Sequence, residues 1–366
     1  MFNRIVFFWK IGCLGAVLGI ANWLLYREGL PFLRPWPTLF IFLILPFSFS
    51  LAHNAIHSVS VRTAKIFSWT GGFWFIFTLY STFFSALYFF LYIVLLLTGQ
   101  AGLWEAIAVP LSRGALAAMV LLLAYGIYKA LHPVVRSVTI QSAKVSQPLT
   151  IAFLTDIHLS PIQSHWYVRR MVARLAALSP DLILFGGDLI DAHLSFVLAD
   201  GSYRGLAALR PPKGLWAVFG NHDYFDGDVE AEAQAFSLIR FLRHERAAIT
   251  PDITITGLSD YIHFPSAPLP DCDNKVFNIL VDHEPLRIRE TEKKGYDLYL
   301  GGHTHAGQFF PVTTLTNRLY LLNYGSRRFE NLLAIVSSGY GAWGMIFRTG
   351  PSPEIVKITI EPEKGE

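Results

Sequence analysis

Long apolar runs fill the first third of the chain, and a different alternation governs the rest. Four stretches reach the length of a bilayer span, which needs ~20 mostly apolar residues: 5–26, 37–55, 66–97 and 114–131. The third is 32 residues long without a charge, so it tilts or runs into the interface at one end. Its aromatic density (FWFIFTLYSTFF) suits lipid-facing and interfacial positions. Pro46 interrupts the second stretch, and Lys10 inside the first snorkels toward the headgroups. Because Lys10 breaks the apolar core and further spans follow, 5–26 reads as a retained helix, not a removable leader.

From residue 133 the pattern becomes that of a layered α/β domain. Residues 133–148 read as a linker leading into a β segment. Short buried strands follow at 149–156, 181–188, 214–223, 252–258, 275–283 and 297–303. Helical spacing is seen at 165–178, where Val168, Met171, Val172, Leu175 and Leu178 share a face, and at 229–242 and 285–294. The segments NRLYLLN, LLAIVSSG and EIVKITI alternate as further strands. The expected organisation is a transmembrane region (1–132), a linker (133–148) and an α/β domain (149–366) with right-handed crossovers.

Charge follows the same division. Residues 1–132 hold eight Lys/Arg and two Glu, and residues 133–366 hold 22 basic and 25 acidic residues. The net charge of +3 therefore joins a +6 segment to one of −3. The second part has no basic excess along which to neutralise phosphates, so no nucleic-acid polymer is expected as partner. Cys13 and Cys272 alone cannot make a disulfide framework or a thiolate zinc site. Four spans would put the N-terminus, the middle loop and the C-terminal domain on one side, with Arg4, Lys10, Arg62, Lys65, Lys129, Arg136 and Lys144. Arg27, Arg34 and Arg113 face the other side, and this excess places the domain in the cytoplasm on an inner membrane. The spans hold no acids, and His53 and His57 at a helix end read as interfacial.

Chemistry-bearing residues fall where the strands end. They are Asp156-Ile157-His158, Gly187-Asp188 with Asp191, Gly220-Asn221-His222-Asp223, Asp282-His283 and Gly301-Gly302-His303-Thr304-His305. In α/β sheets the carboxyl ends of strands are where ligands bind. Each motif alone would pass for a turn, a cap or a half-buried histidine. Five at five strand ends point instead to a metal site. Carboxylate, imidazole and amide oxygen without thiolate suit Mn²⁺, Fe²⁺ or Zn²⁺. Asp156, His158, Asp188, Asn221, His283, His303 and His305 are more ligands than one ion needs, so two ions sharing a carboxylate are expected.

This motif order resembles that of the calcineurin-like metallophosphoesterases, over about residues 149–361, with Gly307-Gln308 and SSGYGAWGMIFR included. It is most similar to the bacterial membrane-associated branch with N-terminal transmembrane helices. Ala306 stands where many relatives have glycine, a difference that bears on loop packing. The resemblance implies a four-layer α/β/β/α sandwich behind a bundle of about four transmembrane helices. It implies one ion on Asp156, His158 and His305, another on Asn221, His283 and His303, and Asp188 bridging them. A metal-bridging hydroxide would attack phosphorus in line while His222 protonates the leaving oxygen. Asp191 and Asp223 would support the site, one of them His222 itself. Arg348 and His193 are weaker expectations as substrate contacts.

The expected activity is phosphoester hydrolysis (class 3.1, or 3.6 for a pyrophosphate). A lipid-linked phosphate is the economical substrate for an enzyme held at the bilayer. A phosphodiesterase or phosphatase acting on soluble nucleotides is one rival reading. A non-catalytic regulatory domain on a membrane receptor or transporter is the other.

Overall fold

A computed structural model of the chain describes residues 2–54, 59–191, 193–225 and 228–363, so His57 lies outside the described residues. The chain divides into two compact units, Met1–Tyr128 and Lys129–Glu366.

The first unit is helical: α1 (Phe2–Gly29), α2 (Leu39–Ile44), α3 (Pro46–Asn54), α4 (Val61–Leu97) and α5, which starts at Ala101 and ends at Leu131. Among the described residues, three helices are long and apolar enough to cross a membrane: Val6–Gly29, Val61–Leu97 and Ala101–Leu131. This corrects the expected second and fourth spans. Residues 37–55 do not form one helix. They break at Leu45-Pro46, where proline lacks the N–H that would continue α2, and Trp36–Leu51 is shorter than a span. The fourth reaches back beyond Gly114 to Ala101 and takes in Glu105, Pro110 and Arg113. With no hydrophobic gain between helices in lipid, polar pairs and close backbone approach hold such a bundle. Here the Tyr26 and Ser81 hydroxyls bond at 2.9 Å, and Ser85 donates to Asn22 Oδ1 at 2.8 Å. Ser112 donates to the Leu25 carbonyl at 2.6 Å.

The second unit contains two six-stranded sheets. The first runs β1 (Val134–Ser142), β12 (Glu354–Pro362), β2 (Leu149–Leu154), β3 (Leu182–Gly186), β4 (Leu215–Val218), β5 (Ile239–Phe241). The second runs β10 (Gly325–Phe329), β11 (Leu332–Val336), β9 (Leu298–Gly301), β8 (Phe277–Val281), β7 (Ile253–Gly257), β6 (Glu245–Thr250). Alternate residues of both sheets meet in one core: Ile151, Phe153, Leu182, Leu184 and Val218 from the first, Ile253, Ile255, Ile279, Val281 and Leu300 from the second. The outer face of the second sheet packs Leu280, Tyr299 and Ala334 with Ile288 of α9 (Ile288–Lys294). Over the first sheet lie α6 (His165–Leu178), which buries Val168, Met171 and Leu175, and α7 (Leu194–Asp200). β3 and β8 are buried at every position because their sheets are covered on both faces. The result is a four-layer α/β/β/α sandwich.

Three further expectations change. Residues 133–148 are not a free linker: β1 pairs in parallel with β12 from Val134↔Glu354 to Ser142↔Pro362. Arg136 grips the buried Glu354 through two bonds of 2.9 Å. The helix expected at 229–242 stops early as α8 (Val229–Ala235), and Ile239–Phe241 instead satisfies the open edge of β4. NRLYLLN is not a strand, since its first three residues close α10 (Val312–Leu319).

Candidate metal centre

β2, β3 and β4 are parallel neighbours, as are β8 and β9, so five carboxyl ends are brought to one edge of the sandwich. Asp156 and His158 follow β2, Asp188 follows β3, Asn221 and His222 follow β4, His283 follows β8, and His303 and His305 follow β9. Backbone bonds tie the loops together: Asp156 N–H donates to the Gly187 carbonyl and His158 N–H to the Asp188 carbonyl, both at 3.0 Å. The sheets are joined by His283 Nδ1–H, which donates to the Gly186 carbonyl at 2.7 Å. They are joined again by His303 N–H, which reaches both Asp156 oxygens at 3.1 Å.

Five expected ligands adopt left-handed backbone: Asp156 (φ 54°), His158 (51°), Asp188 (53°), His303 (67°) and His305 (49°). Such conformations cost ~1–3 kcal/mol each and persist where the surroundings impose them. They turn the side chains of both sheets toward a common point. Gly302 permits this convergence: a Cβ there would collide with Thr155 Oγ1 and lie 2.5 Å from Asp156 Oδ2.

The donor atoms converge closely. His158 Nε2 and His305 Nε2 are 2.9 Å apart, and His305 Nε2 is 3.3 Å from Asp156 Oδ1. His283 Nε2 lies 3.1 Å from Asp188 Oδ2, and His303 Nδ1 lies 2.8 Å from Asn221 Oδ1. Asp188 Oδ2 is also 3.8 Å from His158 Nε2, so this carboxylate stands between the two groups. Among the described residues, four sets of three donors lie close enough to hold a cation: Asp156/His158/His305, Asp156/Asp188/His283, His283/Glu284/His303 and His158/Asp191/His222.

The donor chemistry fits cations. His283 Nδ1–H is engaged by the Gly186 carbonyl, so Nε2 is the ring atom that faces Asp188, 3.1 Å away. A backbone carbonyl behind an imidazole is the usual way of orienting a metal-binding histidine. Two buried carboxylates also need compensating positive charge. Burial pushes the Asp156 carboxyl up, and the nearby Asp188 adds to this. Burial would push Asp188 up as well, but the facing His283 holds it well below the usual range. Reciprocally, Asp188 raises His283 well above its ordinary value against the effect of burial. Burial, with His283 alongside, depresses His303 to about 4.

His222 is beside this cluster. Its backbone N–H donates to Asp188 Oδ1 at 2.8 Å, and its ring stands edge-on to His158 at 4.7 Å between centroids. Its Nδ1 bonds the Asp191 carbonyl oxygen, with the Asp191 carboxylate at 3.5 Å. Asp191 also reaches His158 Nδ1 at 3.2 Å. Asp223 behaves differently. Its carboxylate accepts the N–H groups of Gly220 (2.8 Å), Asp188 (2.9 Å) and Ile190 (3.2 Å), so it welds two loops and does not touch His222. Burial and the neighbouring Asp188 push it up to about 7.

Two expected substrate contacts are placed elsewhere. Arg348 is fully buried, and its guanidinium donates to the carbonyls of Ser338 and Gly341 at 2.7 Å. It holds the loop behind His305. His193 is buried at the start of α7. A cleft of about 250 Å³ opens onto the cluster, lined by Asp188, His222, His303 and His305 on one side and Gln308, Phe309, Val312 and Trp343 on the other. Neither Arg348 nor His193 is among its lining residues.

Sequence reading missed Thr155, whose hydroxyl donates to Asp156 Oδ2 at 2.8 Å, and Glu284. Glu284 is buried beside Asp260 and pushed up to about 9, mainly by burial. It follows His283 directly, which is the only signal the chain offers for it.

The sequence profile described as Calcineurin-like phosphoesterase matches residues 149–307. A metallophosphoesterase of Aquifex aeolicus is 30% identical over 256 residues, covering 66% of this chain and 97% of that protein. A transmembrane protein with metallophosphoesterase domain from Danio rerio is 29% identical over 288 residues, 70% of this chain. The match spans 65% of the Danio protein's length. Among solved structures, the NAD nucleotidase of Haemophilus influenzae aligns over 53% of this chain and 46% of its own at 14% identity and a TM-score of 0.34. The three long apolar helices and the transmembrane relative mark a membrane protein. The chain belongs to the calcineurin-like phosphoesterases, a family of metal-dependent phosphoester hydrolases.

Proposed function

We propose that this protein is a membrane-anchored hydrolase that uses two divalent cations to cleave a lipid-linked phosphoester or pyrophosphate. The observation that carries this reading is the convergence of Asp156, Asp188, Asn221 and four histidines on one buried point beside an open cleft. Asp156, His158 and His305 would hold one ion, Asn221, His283 and His303 the other, and Asp188 both. Oxygen and nitrogen donors without thiolate favour Mn²⁺, Fe²⁺ or Zn²⁺. Bound cations of this kind lower the pKa of water and neutralise phosphoryl oxygens.

The chain's own groups do the rest. The Asp191 carbonyl engages His222 Nδ1–H, so His222 would donate a proton from Nε2 to the leaving oxygen. That requires the imidazolium: burial, with His158 alongside, holds His222 below its ordinary value, and the Asp188 and Asp191 carboxylates oppose this by favouring the charged form. Phe309, Val312 and Trp343 give the cleft an apolar wall, which supports a substrate with an apolar leaving group over a free nucleotide.

The domain is assigned to the cytoplasm. With three spans, Arg27, Arg34, Arg62, Lys65, Lys129, Arg136 and Lys144 flank the domain's side, against Arg4, Lys10 and Arg113. The change from four spans to three moves individual residues across the bilayer but leaves the domain on the more basic side.

The test is Asp188→Asn in the full chain, read by metal content and turnover. Loss of one carboxylate charge at ~4 Å is worth about 4 kcal/mol per unit of cation charge at an effective dielectric of 20, so a divalent ion should lose at least ~10³ in affinity. A variant that keeps full metal and full turnover would sink the reading. Faster cleavage of soluble nucleotides than of any lipid phosphate by the parent protein would remove the lipid-linked substrate.

A further inference from the structure

We propose that α10 and its flanks form a lipid-contacting face through which the catalytic unit rests on the bilayer surface. This goes beyond the anchoring helices and does not depend on the chemistry of the metal centre.

α10 is amphipathic in the opposite sense to a helix of a soluble domain. Val312, Leu315 and Leu319 share one face at helical spacing and are 37%, 57% and 65% exposed. No residue of the helix is buried. Two threonines meet the domain: Thr316 Oγ1 accepts from Asn323 Nδ2 at 3.1 Å, and the Thr313 backbone packs against Gly307. Phe310 (57% exposed) and Leu321 (44%) flank the helix in sequence. An exposed apolar helix face of this kind marks an interaction surface.

Three observations select a lipid surface as the occupant. First, α10 and its flanks (310–323) contain no Asp or Glu, while Arg318 on the helix is exposed. This charge complements anionic headgroups and would repel itself across a two-fold dimer. Second, three apolar side chains on a two-turn helix, with Phe310 and Leu321 beside its ends, fall short of the ~20–30 residues per side of a stable protein interface, but suit shallow burial at the headgroup boundary. Third, the chain carries its own membrane helices, so a bilayer is always within reach. Val312 also lines the cleft, so the same face borders the entrance to the metal centre. A lipid phosphate would reach the centre without leaving the interface.

The full chain, with Cys13→Ser and Cys272→Ser, would carry a nitroxide at Leu315→Cys and be placed in nanodiscs containing phosphatidylglycerol. The expected result is a label more accessible to oxygen than to an aqueous nickel chelate. A control label at the exposed Lys213, as Lys213→Cys, should show the reverse order. In a second arm, Leu315→Glu combined with Leu319→Glu should leave turnover of p-nitrophenyl phosphate within about twofold. The same variant should lower turnover of a bilayer-borne phosphate about tenfold or more. An aqueous label at 315, indistinguishable from that at 213, overturns the proposal. So does dipolar coupling between two labels at 315, which assigns the face to a second copy of the chain. A lipid-exposed label on a protein that hydrolyses no phosphoester upholds this face and refutes the proposed chemistry, so the two fail separately.

Discussion

Asp223 separates a positioning role from a catalytic one, and its replacement has a calculable cost. The carboxylate is 1% exposed and accepts three backbone N–H groups, from Gly220, Asp188 and Ile190. Asp223→Ala removes the acceptor and leaves three buried donors unsatisfied. Each costs ~1–3 kcal/mol, and partial entry of water reduces the sum to about 3–6 kcal/mol. For a unit of this size each kcal/mol moves the midpoint by ~2–4 °C, so a drop of roughly 6–24 °C is expected. Asp223→Asn keeps the shape but turns an NH₂ toward N–H donors, and should lie between the parent and the alanine variant. The assay is thermal unfolding of the full chain in nanodiscs, followed by intrinsic fluorescence, with metal content measured in parallel. A midpoint within about 2 °C of the parent for Asp223→Ala would refute the loop-welding role. Full stability with abolished turnover in Asp223→Asn would return Asp223 to the chemistry.

His222→Asn should lower turnover ~10²–10⁴-fold on a poor leaving group and much less on p-nitrophenyl phosphate, with metal content unchanged; equal losses on both would remove it from the acid role. Arg348→Met should lower the unfolding midpoint, because it strips donors from the Ser338 and Gly341 carbonyls, without a selective rise in KM; a raised KM at unchanged stability would restore the phosphate clamp. Gly302→Ala should displace Thr155 and Asp156 and reduce bound metal in a protein that still folds; unchanged metal content would contradict the close approach at that turn.

How much of this was legible beforehand depended on where the information lay. Strands buried on both faces, such as LILFG at 182–186, announce themselves as continuous apolar runs, and the polar residues that end them stand out. Those residues were therefore readable together with their convergence. Roles set by backbone contacts were not. Asp191 and Asp223 look alike in sequence, yet the first faces His158 and His222 while the second binds loop N–H groups and meets the buried Glu232 carboxyl. Arg348 carries the charge a phosphate would need, but its loop folds that charge inward onto carbonyls. Apolar runs also overstated the spans: residues 37–55 have the composition of a crossing helix, and only Pro46 hints that the chain breaks there. In α10 the helical spacing of Val312, Leu315 and Leu319 was present, but an apolar face is ordinarily taken to point inward, and here it points out.

The central claim is a two-cation centre that hydrolyses phosphoesters, and metal content measured alongside activity tests it most directly. The full chain, purified in lipid and loaded with Mn²⁺, should hold two ions per chain by elemental analysis. Chelation should remove both and abolish hydrolysis, and re-addition of Mn²⁺ should restore it. Hydrolysis that persists after the ions are stripped, or a chain that binds none under saturating Mn²⁺, would contradict the account.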